Sequence, residues 1–424
     1  MFVSAPASGQ GKTTVTAALA HHHRQQGRRV RVFKSGPDFL DPMILERASG
    51  APVYQLDLWM GGEDHCRQLL YDAAAEADLI LVEGVMGLFD GDRSSADLAM
   101  LFGIPILAVI DGGAMAQTFG ALAHGLATYR PGLPFAGVFA NRVAGERHYE
   151  MLAESLPPGL RSFGWLARDG DVALPERHLG LVQAAEVADL DARIARAAAA
   201  LHGVEQVMPA PVTFRAAVSE PPSRWLAGVR IGVAQDAAFA FLYRANLDLL
   251  RALGAELTFF SPLVDATLPA ADALYLPGGY PELHGGALAA AARFREGLVR
   301  FAGTKPVHGE CGGFMVLGRA IEDAEGKLHR MTGLLGHVTS FTRRKINLGY
   351  RRATLLADCA VGQAGQTVRG HEFHYSRVIE PGADEPLCEI ADAAGNSLGR
   401  SGGRRGLVTG AYFHAIATEP ADGV

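Results

Sequence analysis

Short apolar runs alternate with longer amphipathic stretches along the first two hundred residues. The runs indicate buried strands, and stretches such as Thr13–Gln26 and Ala114–Tyr129 have the apolar spacing of helices. The predicted strands are Phe2–Ala5, Val30–Lys34, Leu79–Glu83, Ile106–Asp111, Ala136–Ala140 and Ser162–Leu166. This alternation predicts a parallel sheet covered by helices, and we expect Ala192–His202 to be its closing helix.

The periodic pattern stops after residue 203 and resumes at Val229. The intervening stretch collects Pro209, Pro211, Pro221 and Pro222, which is typical of a linker. The strands predicted beyond it are Arg230–Ala234, Leu257–Ser261, Ala273–Leu276 and Lys305–His308, followed by the β-rich, hairpin-like segments Leu335–Phe341, Tyr350–Leu356 and Thr367–Ile379. We therefore predict two α/β domains, at 1–203 and 229–424, with a linker at 204–228.

Composition narrows the class of protein. With 424 residues, 49% of them hydrophobic, the chain is long enough for two globular domains. The net charge of −6 does not favour a nucleic-acid partner, and no apolar run approaches the ~18 residues that span a bilayer. Four widely spaced cysteines without a CxxC pair disfavour a zinc site or a disulfide framework and favour a reducing cytoplasm.

A glycine-rich segment near the start, SAPASGQGKTT at 4–14, follows a strand and opens a helix. Its glycines let backbone N–H groups point at phosphate oxygens, and the helix N-terminus adds partial positive charge. Lys12 is placed to reach the β- and γ-phosphates of ATP, and the Thr13 hydroxyl to bind Mg²⁺. The predicted nucleotide-binding residues here are Gly9, Gly11, Lys12, Thr13 and Thr14. A secretory signal is excluded, because its cleavage would remove this loop.

Carboxylates follow two other predicted strands of the first domain. Glu83 ends one strand and precedes a glycine-rich loop that carries Asp90, and Asp38 lies just after another strand. Ligands of parallel sheets bind at the carboxyl ends of the strands, so these side chains should face the nucleotide and hold Mg²⁺. Asp41, which precedes Pro42, is expected to be a turn or cap residue.

A cysteine in the second domain lies on a predicted strand–turn–helix, KPVHGECGGFMVLG at 305–318. Small residues around Cys311 indicate a nucleophile elbow. We expect the helix N-terminus to lower the thiol pKa, and the Gly312 N–H to stabilise an oxyanion. Gly279, in a glycine turn after the strand Ala273–Leu276, is the second expected donor.

A thiol nucleophile needs a base, and several histidines are available. His371 and His374 lie in one β-rich segment, and His414 follows the last apolar strand. The residues alone do not choose firmly between His374 and His414. We expect His308 and His337 to be structural.

With both halves in view, the chain resembles the a,c-diamide synthases of corrinoid biosynthesis, the cobyrinic and hydrogenobyrinic acid enzymes. The most specific segments are APASGQGKTT at 5–14, GPDFLDP at 36–42, EGVMGLFDG at 83–91 and ECGG at 310–313. Pro6 departs from the usual phosphate-loop pattern but is ordinary in that family. The resemblance implies a dethiobiotin-synthetase-like ATP domain joined to a class I glutaminase-like domain.

The resemblance also implies roles for individual residues. Lys12 and Thr13 would serve ATP and Mg²⁺, and Asn141 would contact adenine. Cys311 would release ammonia from L-glutamine with His414 as its base, for aminating a corrinoid polycarboxylate. Many class I glutaminases have an acid two residues after this histidine; Ile416 stands there, which favours a Cys–His dyad. A homodimer is compatible with the sequence.

A local group of cations stands out in this acidic chain. Arg343, Arg344 and Lys345 precede the pair Arg351 and Arg352. They either hold peripheral carboxylates of the substrate or form the solvated face of a β-hairpin.

Other readings compete with this function. A cobyric-acid-synthase-type amidase shares the two-domain plan, although the segment at 86–91 fits the a,c-enzyme better. A nickel-sirohydrochlorin a,c-diamide synthase performs the same chemistry on a related tetrapyrrole. From a different class, a partitioning-type ATPase switch would use a related phosphate loop but would need neither Cys311 nor a second α/β domain.

Overall fold

The computed structural model of the chain describes residues 1–172, 176–177, 180–181, 183–204, 208–218, 222–265 and 267–419. The chain divides into two units, each taken by itself below. One holds Met1–Leu58 and Gly62–Ser219, and the other holds Trp59–Gly61 and Glu220–Val424. No helix among the described residues is both long enough and apolar enough for a membrane crossing.

An eight-stranded sheet forms the centre of the first unit, with strand order β10-β7-β6-β5-β1-β4-β2-β3. The strands of the first unit are β1 (Phe2–Ser4), β2 (Val30–Ser35), β3 (Tyr54–Leu56), β4 (Leu79–Glu83), β5 (Ile106–Asp111), β6 (Phe135–Val143), β7 (Arg161–Ala167), β8 (Glu176–Arg177), β9 (Gly180–Leu181) and β10 (Leu201–His202). Of these, β8 and β9 pair with each other in a separate two-stranded sheet. The helices are α1 (Lys12–Gln25), α2 (Leu40–Ser49), α3 (Gly62–Glu76), α4 (Ser95–Phe102), α5 (Thr118–Thr128), α6 (Glu146–Glu154) and α7 (Leu190–Ala199). Only the edge strand β10 of this sheet runs antiparallel to its neighbour.

The parallel strands of this sheet are buried on both faces. Successive residues point to opposite sides of a strand, so Phe2 joins the apolar core on one face and Val3 the core on the other. Val3 and Lys34 both stand in register with Glu83. The carboxyl ends of β1, β2 and β4 therefore meet at one edge of the sheet.

The predicted parallel sheet is confirmed, with all six predicted strands present. Two helix predictions are wrong at one end. The closing helix stops at Ala199 rather than His202, because Leu201 and His202 form the edge strand β10, which pairs with β7, and the His202 ring stacks on Trp165 at 4.2 Å. The helix predicted from Ala114 begins only at Thr118.

The second unit contains a six-stranded sheet, a four-stranded sheet and a five-stranded sheet, with orders β12-β11-β13-β14-β24-β23, β16-β15-β17-β20 and β22-β21-β18-β19-β25. The strands are β11 (Arg230–Ala234), β12 (Glu256–Phe260), β13 (Ala273–Leu276), β14 (Val307–Glu310), β15 (Ala320–Glu322), β16 (Leu328–Arg330), β17 (Val338–Ser340), β18 (Asn347–Leu355), β19 (Thr367–His374), β20 (Arg377–Glu380), β21 (Cys388–Asp392), β22 (Ser397–Ser401), β23 (Gly403–Arg405), β24 (Val408–Ala411) and β25 (His414–Thr418). The helices are α8 (Arg244–Ala252), α9 (Gly285–Ala290), α10 (Ala292–Ala302) and α11 (Gly312–Leu317).

The largest sheet of this unit is parallel except for β23. Its core includes Cys311 and the helix α11 that follows it. The prediction of one β-rich segment at Thr367–Ile379 is wrong in detail. It is two strands, β19 and β20, which belong to different sheets.

Glycines permit the close backbone packing around α11. A Cβ at Gly313 would lie 2.0 Å from the Leu276 carbonyl oxygen, far inside van der Waals contact. By contrast, Gly286 in α9 is exposed, and a Cβ there would meet nothing within 4 Å. The two helical glycines therefore form a matched pair for substitution.

We expect Gly313→Ala to destabilise the second unit by about 3 kcal/mol or more, because the new methyl group overlaps a backbone oxygen. Gly286→Ala should stabilise it by about 0.5–1 kcal/mol, since alanine favours a helix. Denaturant unfolding of both variants measures the difference. Equal effects from the two substitutions would contradict the packing described here.

Candidate active sites

A cavity of about 780 Å³ opens at the carboxyl edge of the parallel sheet in the first unit. Most of the residues predicted to bind nucleotide or metal line this cavity. These are Gly9, Gly11, Lys12, Thr13, Thr14, Asp38, Glu83 and Asn141. The structure thus brings together residues that lie far apart in the sequence.

The phosphate loop is held in shape by contacts with a neighbouring strand. Gly11 has a φ of 87° and caps α1, and a Cβ there would lie 2.2 Å from Asn141 Nδ2. Asn141 donates from that amide to the Gln10 carbonyl at 2.8 Å. Asn141 therefore braces the loop, and any contact with adenine would be an additional role.

The Lys12 ammonium donates to the Met86 carbonyl at 2.7 Å and to the Ala7 carbonyl at 3.2 Å. These two hydrogen bonds link the Lys12 side chain to its own phosphate loop and to the loop after β4. Burial, together with the charge of Lys34, lowers the pKa of Lys12. Backbone carbonyls are weak partners for an ammonium, so a phosphate group could replace them.

Lys34, near the end of β2, is buried, and the sequence pattern predicted it only as the last residue of a strand. Its Nζ lies 2.5 Å from Asp41 Oδ2 and 2.7 Å from Glu83 Oε1. Burial alone would lower the pKa of Lys34, but the carboxylates of Asp41 and Glu83 outweigh it and raise the pKa well above its usual range. This ammonium therefore stays charged at the floor of the cavity.

The role expected for Asp41 is corrected by the structure, whereas Asp38 lines the cavity and its part in metal binding stays a prediction. Asp38 Oδ1 accepts the N–H groups of Leu40 and Asp41, at 2.8 Å and 3.2 Å, and so caps α2. Asp41, expected to be a turn or cap residue, is instead buried against Lys34. The first turn of α2 points Asp41 inward, which its position before Pro42 could not reveal.

Two of these carboxyl groups have pKa values raised to about 7. For Glu83 the main cause is burial, and for Asp38 burial is followed by the neighbouring charge of Asp41. The pKa of Asp41 is lowered, because Lys34 outweighs the effect of burial. The group of three carboxyls thus holds more negative charge than its ammonium neutralises, which suits a cation.

The oxygen atoms at this site fit Mg²⁺. Thr13 donates its hydroxyl hydrogen to Glu83 Oε1 at 2.9 Å, whereas the buried Glu83 Oε2 accepts no hydrogen bond from any described residue. Within the described part of the chain, no three His, Cys, Asp or Glu side chains form a metal-binding group. That agrees with Mg²⁺ chemistry, in which one or two protein oxygens share the ion with phosphates and water.

Asp90 does not join this group. Its Oδ2 accepts the Gly87 N–H at 2.9 Å and closes the turn after β4, and the side chain is exposed rather than part of the cavity lining. The negative charge of Asp90 nevertheless opposes the lowering of the Lys12 pKa, so Asp90 lies near the phosphate loop and its role at the metal stays a prediction.

Another ion pair at the cavity was not foreseen. Arg142, with a φ of 55°, contacts Asp111 at 2.7 Å and donates to the Gly9 carbonyl at 2.9 Å. Both side chains line the cavity. Charged residues at the carboxyl ends of β5 and β6 were the signal available in the sequence.

Cys311 lies on a sharp turn between β14 and α11, as predicted. It has a φ of 46°, a conformation that non-glycine residues rarely adopt. Its N–H donates to the Ala411 carbonyl at 2.8 Å, and the residue is 2% exposed. The strained turn and the flanking glycines define a nucleophile elbow.

The expectation of a lowered thiol pKa at Cys311 is wrong. Burial raises it well above the usual range, and the charges of Glu282 and Glu310 add to the effect. The Gly312 N–H opposes the rise but is weaker. The short helix α11 cannot offset burial among carboxylates.

The glycine turn after β13 borders both Cys311 and His414. A Cβ at Gly312 would lie 2.9 Å from the Gly279 nitrogen, and a Cβ at Gly278 would lie 2.6 Å from His414 Cε1. The two predicted oxyanion donors are therefore adjacent, and the predicted base packs against the same turn. Nucleophile and base thus lie on opposite sides of the same glycine turn, which carries one of the donors.

Glu310 lies beside His414, so an acid accompanies the histidine of the expected Cys–His dyad, which itself stays a prediction. Glu310 Oε2 is 3.6 Å from His414 Nδ1, close enough for an ion pair. Tyr275 donates its hydroxyl hydrogen to the same oxygen at 2.7 Å, and the Ala415 N–H donates to Oε1 at 3.3 Å. An acid is present, supplied by the residue before the cysteine rather than by position 416.

The state of Glu310 is set by its histidine neighbours. Burial alone would raise its pKa, but contacts with His308 and His414 outweigh burial and hold the pKa well below its usual range. A buried carboxylate beside an imidazole can fix the orientation of the ring. Glu310 is thus suited to orient His414.

The other histidines have partners of their own, although the His371 ring also stacks on His414, with the ring centroids 4.9 Å apart. His371 is buried and shares a hydrogen bond of 2.7 Å between its Nε2 and the Tyr243 hydroxyl, and His374 stacks on Tyr412 at 3.7 Å. Burial lowers the pKa of both, to about 4 for His374. The expected structural roles fit His308, which lies 2.9 Å from Thr409, and His337, which stacks on Phe314 at 3.9 Å.

The cation group of the second unit divides in two. Arg351 pairs with Glu372 at 2.8 Å and Arg352 with Glu419 at 2.7 Å, so their charges are already neutralised. Arg343, Arg344 and Lys345 form an exposed loop before β18. Only this loop remains a candidate for binding substrate carboxylates.

Comparison with known proteins agrees with the two sites. Residues 1–182 match the CobQ/CobB/MinD/ParA nucleotide binding domain, and residues 230–422 match the CobB/CobQ-like glutamine amidotransferase domain. The chain is therefore an amidotransferase enzyme with its own nucleotide-binding domain.

Similarity over the full length narrows the family. A hydrogenobyrinate a,c-diamide synthase of Pseudomonas aeruginosa is 56% identical, across 98% of this chain and 93% of the relative. The Stutzerimonas stutzeri protein of the same name is 55% identical, with 98% and 94% covered. A cobyrinate a,c-diamide synthase of Herminiimonas arsenicoxydans is 46% identical, with 98% and 93% covered. The chain belongs to the a,c-diamide synthase family.

Substitution of the buried lysine tests the charge balance of the first site. Lys34→Met should destabilise the protein by about 3–5 kcal/mol, because it leaves two buried carboxylates without a counter-charge. Arg29→Met, which breaks an exposed pair with Asp78, is the matched control and should change stability little. Denaturant unfolding of the two variants gives the comparison, and a tolerated Lys34→Met would contradict this account.

Proposed function

We propose that the chain uses ATP and glutamine to convert the a- and c-acetate carboxylates of hydrogenobyrinic acid into amides, within cobalamin biosynthesis. One observation carries the proposal: a nucleophile elbow with a histidine and an acid occurs in the same chain as a phosphate-loop cavity floored by carboxylates. A partitioning-type ATPase switch leaves the amidotransferase domain unexplained.

The metal-free substrate is preferred over its cobalt form, because more similar relatives carry the hydrogenobyrinate name. A relative named for cobyrinate is 46% identical, so the comparison of initial rates with the two acids tests this choice. The relatives described above are named for hydrogenobyrinate or cobyrinate, which favours this reaction over amidation of nickel-sirohydrochlorin or a cobyric-acid-synthase-type reaction. We assign the reaction to domains 1–203 and 229–424, joined at 204–228, and to the cytoplasm.

In the glutaminase half, Cys311 attacks the side-chain amide carbon of glutamine. His414, oriented by Glu310, takes the thiol proton and delivers it to the departing ammonia. The N–H groups of Gly279 and Gly312 stabilise the oxyanion, and water then hydrolyses the thioester to glutamate. His414 therefore accepts the thiol proton at the step in which Cys311 attacks the bound glutamine.

In the ligase half, a carboxylate of the corrinoid attacks the γ-phosphate of ATP and becomes an acyl phosphate. Lys12 and the glycines of the phosphate loop hold the transferred group. Thr13, Asp38 and Glu83 would hold Mg²⁺, which when bound neutralises phosphate charge. Ammonia displaces the phosphate to leave an amide, and it must do so before water protonates it.

Cys311→Ser should abolish amidation with glutamine but retain amidation with a high concentration of ammonium, since only the ammonia source is lost. Mass spectrometry follows two successive mass decreases, each from replacing a carboxyl OH by NH₂. The half-buried Cys359→Ser is the matched control and should leave both activities intact. Equal loss with both nitrogen sources would argue against two separable reactions.

Glu310→Gln should reduce the kcat of glutamine hydrolysis by about 100-fold or more, because the imidazole loses the carboxylate that orients it. Amidation with ammonium should continue at the wild-type rate. The exposed Glu389, in the same unit, provides the control Glu389→Gln. A wild-type rate and pH profile for Glu310→Gln would remove Glu310 from the mechanism.

A further inference from the structure

Glu282 lies next to the proposed nucleophile but has no part in the mechanism described so far. It belongs to a 3₁₀ turn, Pro281–His284, that follows directly after the Gly279 oxyanion donor. A Cβ at Gly312 would lie 3.0 Å from Pro281 Cδ, so this turn packs against the elbow itself. The residue before Glu282 therefore touches the backbone beside Cys311.

The carboxylate of Glu282 is left unsatisfied on one side. Its Oε2 is buried and accepts no hydrogen bond from the residues that the structure describes. Burial raises the pKa of Glu282 to about 7, against the opposing charge of Arg344. A buried acceptor without a donor is costly, which is typical of a position that a ligand completes.

Three carboxylates act on the Cys311 thiol: Glu282, Glu310 and Glu372. Glu310 is held by Tyr275 and its histidine neighbours, and Glu372 pairs with Arg351 at 2.8 Å. Of the three, Glu282 has a buried carboxylate oxygen, Oε2, that accepts no hydrogen bond from the described residues. An additional cation in this site would accordingly be drawn to Glu282.

We infer that Glu282 binds the α-ammonium group of glutamine. The inference rests on the proposed glutaminase function and names the contact that selects the donor substrate. An ammonium supplies both the missing N–H donor and a positive charge. Its charge also cancels the strongest of the carboxylate effects on the thiol, so Cys311 ionises more readily once glutamine is bound.

Glutaramate, the analogue of glutamine without its α-amino group, tests the contact. Wild-type protein should hydrolyse L-glutamine with a kcat/KM at least about 100-fold above that for glutaramate. Glu282→Gln should raise the KM for glutamine and bring the two substrates to within about tenfold, while Glu282→Asp, which keeps the charge, restores part of the preference. The exposed Glu256→Gln is the matched control and should keep the full preference.

Each outcome decides a separate question. A wild-type protein that uses both substrates equally well would overturn the inference without any variant. If Glu282→Gln instead lowers kcat equally for both substrates, the carboxyl group acts on the leaving ammonia and the inference is likewise overturned. Glutamine hydrolysis that survives in Cys311→Ser would contradict the proposed function rather than this contact.

Alkylation of Cys311 by iodoacetamide gives a second measurement that needs no turnover. The raised thiol pKa predicts slow labelling at pH 8 that accelerates steadily as the pH rises. Glu282→Gln should label several-fold faster than wild type at pH 8, because it removes a negative charge that disfavours the thiolate. Peptide mass spectrometry assigns the label to Cys311, and unchanged labelling would contradict the placement of Glu282 beside the thiol.

Discussion

Parallel strand pairing is the constraint on which both sites depend. It sets Ser4, Ser35 and Glu83 at one edge in the first unit, and Leu276, Glu310 and Ala411 at one edge in the second. At each edge the chain leaves the sheet in loops rich in glycine. Those loops then present backbone N–H groups and charged side chains to a ligand, in one unit for phosphate and in the other for an oxyanion.

Buried charge gives each site its chemical character. In the first unit one ammonium is shared among carboxyl groups, and an oxygen of Glu83 remains available to a metal ion. In the second, Glu310 is satisfied by tyrosine, histidine and backbone donors. Charges held in this way are costly to bury and do little for stability by themselves. Their cost is understandable where they serve a reaction.

Periodicity and motifs predicted much of this molecule. The alternating apolar runs identified six of the eight strands in the large sheet of the first unit and four of the six in that of the second. The phosphate loop and the elbow at Cys311 were recognisable from glycine spacing. The orientation of individual carboxylates was not predictable, because tertiary contacts decide it. Asp41 turns inward to meet Lys34, Asp90 closes its own turn, and Glu310 reaches His414 only through the pairing of distant strands. The thiol pKa depends on burial in the same way.

The protonated state of Cys311 also bears on how long such an enzyme survives. Peroxide oxidises the thiolate form of cysteine, and the higher oxidation products cannot be reversed. A thiol that is 2% exposed and whose pKa is raised by burial offers little to an oxidant. The same surroundings that delay ionisation until glutamine arrives would therefore spare the nucleophile from oxidative damage between turnovers.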